Sequence, residues 1–64
     1  MIGEAIKALR IKKGISQKEL AQKSNLHQCQ ISKIENGSRK ITVQEIALIA
    51  KALEIKITEL LDTA

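Results

Sequence analysis

Sixty-four residues carry 28 hydrophobic side chains, and none of these is Phe, Tyr or Trp, so eleven Ile, seven Leu and one Val must build nearly the whole core. A domain of this size hides only about 60 % of its unfolded surface, which excludes a large enzyme and argues against a small one, while the missing aromatics argue against a partner held by base stacking, as single-stranded nucleic acids are. The formal net charge of +4 divides into +6 over residues 1–40 and −2 over 41–64, pointing to a polyanion-facing part and a differently employed tail.

The elements follow in chain order. Pro is absent and Gly occurs only at 3, 14 and 37, leaving long stretches open to helix. Ile2, Ile6 and Leu9 recur at i, i+4, i+7, the spacing of one helix face, and Gly14 with Ile15 behind it supplies a left-handed stop; the first helix is expected over about 2–13. Ser16-Gln17-Lys18-Glu19 has the form of a capping box, and Ile15 with Leu20 completes a hydrophobic staple, so a second helix starts at Gln17. Ser24-Asn25 ends it within two turns, since Asn tolerates positive φ.

Leu26 and Ile31 flank His27 at staple spacing, so a third helix is expected after His27, a weaker cap than Ser or Thr, with its stop at Asn36-Gly37. Thr42-Val43-Gln44-Glu45 is another capping box, with Ile41 and Ile46 as its staple; a fourth helix is expected over about 43–53. Thr58 is expected to cap a short fifth helix carrying Leu60 and Leu61, entered through Ile55 and Ile57. A strand over 55–58 fits the pattern but has no second strand to pair with. The reading is an all-α fold of five helices in one domain over 1–64.

Two short helices joined by a tight turn, with small and apolar residues at their crossing, have the helix-turn-helix form. Leu20 and Ala21 face inward on the first, and Ile31 and Ile34 on the second. The remaining face of the second then presents Gln28, Cys29, Ser32 and Lys33 together. Gln suits adenine N6/N7, Lys suits guanine O6/N7, and Ser and Cys are small enough for a hydroxyl contact or a thymine methyl. These four are the candidate base-reading residues.

The residues that carry a family resemblance are Ile6-Lys7-Ala8-Leu9-Arg10, Lys13-Gly14-Ile15-Ser16-Gln17, Glu19-Leu20-Ala21, Ile31-Ser32-Lys33-Ile34-Glu35-Asn36-Gly37 and the Leu53 to Leu61 tail. With them the chain resembles, over about residues 2–62, the lambdoid phage repressor and Cro type of helix-turn-helix domain, the XRE family, which also includes many small bacterial regulators. It departs from the pattern at Asn25, where the family usually has Gly, and at His27, where Ser or Thr usually caps. The resemblance implies a compact repressor-like domain whose third helix enters the major groove of duplex DNA. It places Gln17 on a phosphate and against Gln28, pairs Arg10 with Glu35 as a structural bridge, and lays Ser16, Asn36, Arg39 and Lys40 on the phosphate backbone. It further implies a homodimer that reads an inverted repeat, with Ile55, Ile57, Leu60 and Leu61 as the self-association patch. Ile57 is the member expected to be exposed in the monomer, and covering the core is the rival role for Leu60 and Leu61.

Rival functions are weaker on the residues. His27 and Cys29 are too few to bind a structural zinc, which takes four ligands, and Cys29 has no resolving partner for redox control, so a small groove-fitting side chain is the simpler reading. No Ser-His-acid or paired-carboxylate set can be assembled. No enzyme activity, cofactor, small-molecule ligand or membrane association is therefore expected, and a single Cys without a signal pattern suits the reducing cytosol. The leading expectation is a transcription regulator of the phage-repressor or restriction-modification-controller kind, which suits 64 residues without a sensing domain. The alternative is an antitoxin whose main partner is a toxin protein, and it is disfavoured because nothing after residue 62 is left over to wrap one.

Overall fold

The computed structural model describes the backbone of residues 2–63 and the side chains of residues 2–60. Five helices follow one another: α1 (Ile2–Lys12), α2 (Gln17–Ser24), α3 (Gln28–Glu35), α4 (Val43–Ala52) and α5 (Ile57–Thr63). Among the described residues there is no strand, and no helix is long and apolar enough to cross a membrane.

Local chemistry sets the helix starts. Ser16 Oγ accepts the Glu19 N–H at 3.0 Å, and Thr42 Oγ1 accepts the Glu45 N–H at 3.1 Å. The second box is complete, because Glu45 Oε1 in turn accepts the Thr42 N–H at 2.9 Å. At α3 the residue three on supplies the capping bond, Gln30 Oε1 accepting the His27 N–H at 2.8 Å. α5 differs from the expectation: it begins at Ile57, two residues earlier than a Thr58 cap allows, with the Glu59 N–H bonded to the Lys56 carbonyl at 3.0 Å.

The first four helices end in one way. Gly14, Asn25, Gly37 and Glu54 all lie in the left-handed region, at φ 72°, 61°, 82° and 58°. After each, the next residue's N–H returns to the carbonyl five residues back, as in Ile15 to Arg10 at 3.2 Å and Ile55 to Ala50 at 3.0 Å, the Schellman arrangement. Glu54 is the unexpected member, since left-handed backbone costs an L-residue roughly 1–2 kcal/mol. Glu54→Gly relieves that cost but loses about 0.5–1 kcal/mol to the greater entropy of unfolded glycine. The expected outcome is about 0.5–1 kcal/mol of added stability, read as a higher urea midpoint at 222 nm.

The core is Ile6, Leu20, Ala21, Ile31, Ile34, Ile49, Ala50, Leu53 and Leu60. α2 packs on α3 and α4, while α1 and α4 are joined from the other side by α5. Leu60, assigned above to the self-association patch, has 0 % of its surface exposed. α5 closes the core against α1 and α4, and Leu60 is a side chain it inserts there, so it has no surface left for a partner. Ile57 is 42 % exposed, as expected of it in the monomer, and Ile55 is half-buried against the core. Leu61 falls outside the residues whose side chains are described.

Candidate nucleic-acid interface

α3 is held by its apolar side. Ile31 and Ile34 are 0 % and 2 % exposed, which turns positions 28, 29, 32 and 33 away from the core. Gln28, Cys29 and Lys33 are exposed and Ser32 is half-buried. Among the described residues, none of these four side chains is committed to a hydrogen bond or ion pair within the chain. An amide, a thiol, a hydroxyl and an ammonium thus stand together on one uncommitted helix face, a set suited to base edges in a major groove.

The C-terminal end of α3 is tied to α1 and α2. Arg10 grips Glu35 through two bonds, Nε to Oε2 at 2.8 Å and Nη2 to Oε1 at 3.1 Å, and its Nη1 donates to the Ile15 carbonyl at 2.9 Å. The two side chains are 11 % and 3 % exposed. The hydrogen bond to Glu35 raises the Arg10 pKa above its ordinary value against the opposing pull of burial, so the charge is permanent. The bridge implied by the resemblance is present.

Gln17 does not form the brace to Gln28 that the resemblance implies. Its Nε2 donates to Glu35 Oε1 at 3.1 Å, so it braces the ion pair; among the described residues no bond joins it to Gln28. The carboxylate, with four lone-pair sites and a full charge, is the stronger acceptor.

Of the phosphate candidates, Lys40 is exposed and bears no ion pair among the described residues. Asn36 is exposed, and its Oδ1 is taken by the Ser38 N–H at 2.9 Å and the Ser38 hydroxyl at 2.6 Å, leaving its amide N–H groups to donate outward. Ser16 is exposed and occupied as the α2 cap. Arg39 is already engaged within the chain: its Nη1 is bonded to Glu45 Oε2, because a buried carboxylate must find a counter-charge.

Glu45 is only 6 % exposed. Burial pushes its pKa up, but the Thr42 N–H and the Arg39 guanidinium together outweigh this, so the carboxyl sits below its ordinary 4.5. A lowered folded pKa means that its stabilisation is whole above the range where an unfolded Glu titrates and is lost as pH falls through the folded value. Thermal midpoints should therefore drop on acidification below about pH 4.5. Glu45→Gln should flatten that drop and lower the midpoint at neutral pH.

Sequence reasoning missed Gln30 and Glu45 as a linked pair, Gln30 Nε2 donating to Glu45 Oε2 at 3.4 Å. The local half was visible in His27-x-x-Gln30, the second half of a capping box. The partner 15 residues away was not.

This geometry has close relatives. A family model described as a helix-turn-helix matches residues 6–60. The chain belongs to the helix-turn-helix family. Control protein C.BamHI of Bacillus amyloliquefaciens is 36 % identical over 63 residues, covering 97 % of this chain and 78 % of that protein. The crystal structure of the restriction-modification controller protein C.AhdI from Aeromonas hydrophila superposes with a TM-score of 0.90 at 36 % identity, covering 92 % of this chain and 89 % of that one. A single-residue variant of C.Esp1396I bound to its highest-affinity operator site OM gives 0.89 at 39 % identity, covering 97 % and 82 %. As a member of this family the chain is a DNA-binding transcriptional regulator.

Proposed function

We propose that the chain is a homodimeric regulator of the restriction-modification-controller kind, reading an inverted-repeat operator with α3 in the major groove of each half-site. The observation that carries the reading is the uncommitted face of Gln28, Cys29, Ser32 and Lys33 set opposite buried Ile31 and Ile34. Those four choose the sequence; Lys40, Asn36 and Ser16 hold the phosphates and set the register. The need for a second copy is geometric. The body measures 24 × 23 × 19 Å, while successive major grooves on one DNA face lie about 34 Å apart, so one copy spans one half-site. Exposed Ile57 and half-buried Ile55 give the α5 end an apolar surface for the partner. The protein acts as one domain in the cytoplasm, without cofactor or chemistry of its own.

Selection of binding sites from random duplexes tests this directly and is expected to return an inverted repeat; a single unrepeated half-site would remove the dimer, and no enrichment would remove the reading. On the selected duplex, Gln28→Ala and Lys33→Ala are each expected to cost about 1–3 kcal/mol and to leave binding to random duplex little changed. Lys40→Ala is expected to weaken all duplexes alike and to lower the salt slope by about 1.

A further inference from the structure

The base-reading face leaves one polar cluster without a role. Its centre is the Glu45 carboxylate, which accepts the Thr42 N–H at 2.9 Å on one oxygen and both Arg39 and Gln30 on the other. Gln30 continues the chain of bonds, its own Oε1 accepting the His27 N–H at 2.8 Å. The elements joined in this way are not otherwise strongly coupled, for α3 packs mainly on α1 and α2, and α4 on α2 and α5. His27 caps α3 directly ahead of Gln28 and Cys29, Arg39 precedes Lys40, and Thr42 caps α4.

We propose that Gln30, Glu45 and Arg39 form a positioning strut that fixes the first turn of α3 against the loop carrying Lys40, and that Arg39 serves as its anchor rather than as a phosphate contact. The proposal rests on the reading of α3 as the base-reading helix. Its physical basis is the asymmetry of Glu45. Swinging the Arg39 guanidinium to a DNA phosphate would strip a 6 % exposed carboxylate of its counter-charge, which costs more than an exposed phosphate contact returns. Held in place, the strut keeps Gln28 at a fixed offset from Lys40. A loosened first turn then costs sequence discrimination, which depends on geometry within about 0.5 Å, and spares the sequence-independent attraction.

The test uses the full chain with Arg39→Met and Gln30→Met, on the selected duplex and on random duplex over a salt series. Each variant is expected to lower the selected-to-random affinity ratio about tenfold, and Arg39→Met is expected to keep a salt slope within about 0.3 of the wild type. A slope reduced by about 0.9 with the ratio unchanged would make Arg39 a phosphate ligand and overturn the strut. Gln30→Met removes no charge and secures the test if Arg39→Met folds poorly. Amide exchange in the free protein gives a reading independent of DNA: His27, which Arg39 does not touch, is expected to exchange about tenfold faster in Arg39→Met, and an unchanged rate would break the proposed coupling. Wild-type protein that selects no duplex would overturn the functional reading and the positioning role together. Wild-type selection with variants at the wild-type ratio would overturn the strut alone.

Discussion

Glu35→Ala is expected to remove about 3–5 kcal/mol of folding free energy, the cost of breaking a buried ion pair by deleting one partner. A 64-residue chain at 0.05–0.15 kcal/mol per residue holds roughly 3–10 kcal/mol in all, so this single change consumes much or all of it. The reason is the number of donors that Glu35 satisfies. Arg10 delivers two and Gln17 a third, at 2.8, 3.1 and 3.1 Å, and once the carboxylate is gone the Arg10 side chain, only 11 % exposed in the intact fold, keeps just the Ile15 carbonyl as partner. Unfolding is measured by circular dichroism in urea, because without Trp or Tyr intrinsic fluorescence reports nothing. The double variant Arg10→Met, Glu35→Met is expected to recover most of the loss, since an apolar pair leaves no orphaned charge. A Glu35→Ala protein within about 1 kcal/mol of wild type would show that Arg10 is not left with an uncompensated buried charge, since deleting one partner of such a bridge costs several times that.

That ion pair also marks the boundary of what the sequence reveals. The caps of α2 and α4 were legible because the donor and acceptor lie three residues apart, Ser16 with Glu19 and Thr42 with Glu45, and local geometry alone brings them together. The inward positions of Ile31 and Ile34 were legible for a similar reason, i and i+3 sharing a face, and the exposed set on α3 followed by subtraction. Arg10 and Glu35 are 25 residues apart, and only a family resemblance joined them in advance; no rule of spacing could.

The misses are tertiary in the same sense. Gln17 bonds Glu35 rather than Gln28, because the packed fold offers a carboxylate within reach. Arg39 and Gln30 converge on Glu45, whose burial no capping pattern announces. Leu60 reads equally well as surface or core until α5 is docked on α1 and α4. Left-handed Glu54 lacks the Gly or Asn that signalled the other three stops, so the chain reversal there comes from what precedes and follows it.

Gly3→Ala should destabilise the chain by about 1–3 kcal/mol, although alanine is the better helix former by nearly 1 kcal/mol. Gly3 is buried where α1 crosses α3. A Cβ added there would stand 2.1 Å from the Ile34 carbonyl oxygen, 3.1 Å from its carbon and 3.3 Å from the Glu35 Cα. All three are main-chain atoms, so no rotamer change relieves the overlap. Either α1 moves off α3 or its first turn unwinds, and both loosen the contact next to the Arg10–Glu35 bridge. Gly14→Ala is the control, for Gly14 has nothing within 4 Å of an added Cβ and only its φ of +72° resists substitution. That variant is expected to lose about 1 kcal/mol from backbone strain alone. Because Gly3→Ala acts through α3, it should also lower the ratio of selected to random duplex affinity, which Gly14→Ala should leave near the wild-type value. Were Gly3→Ala to raise the urea midpoint instead, as at an exposed helix position, the close crossing of α1 over the end of α3 would be ruled out.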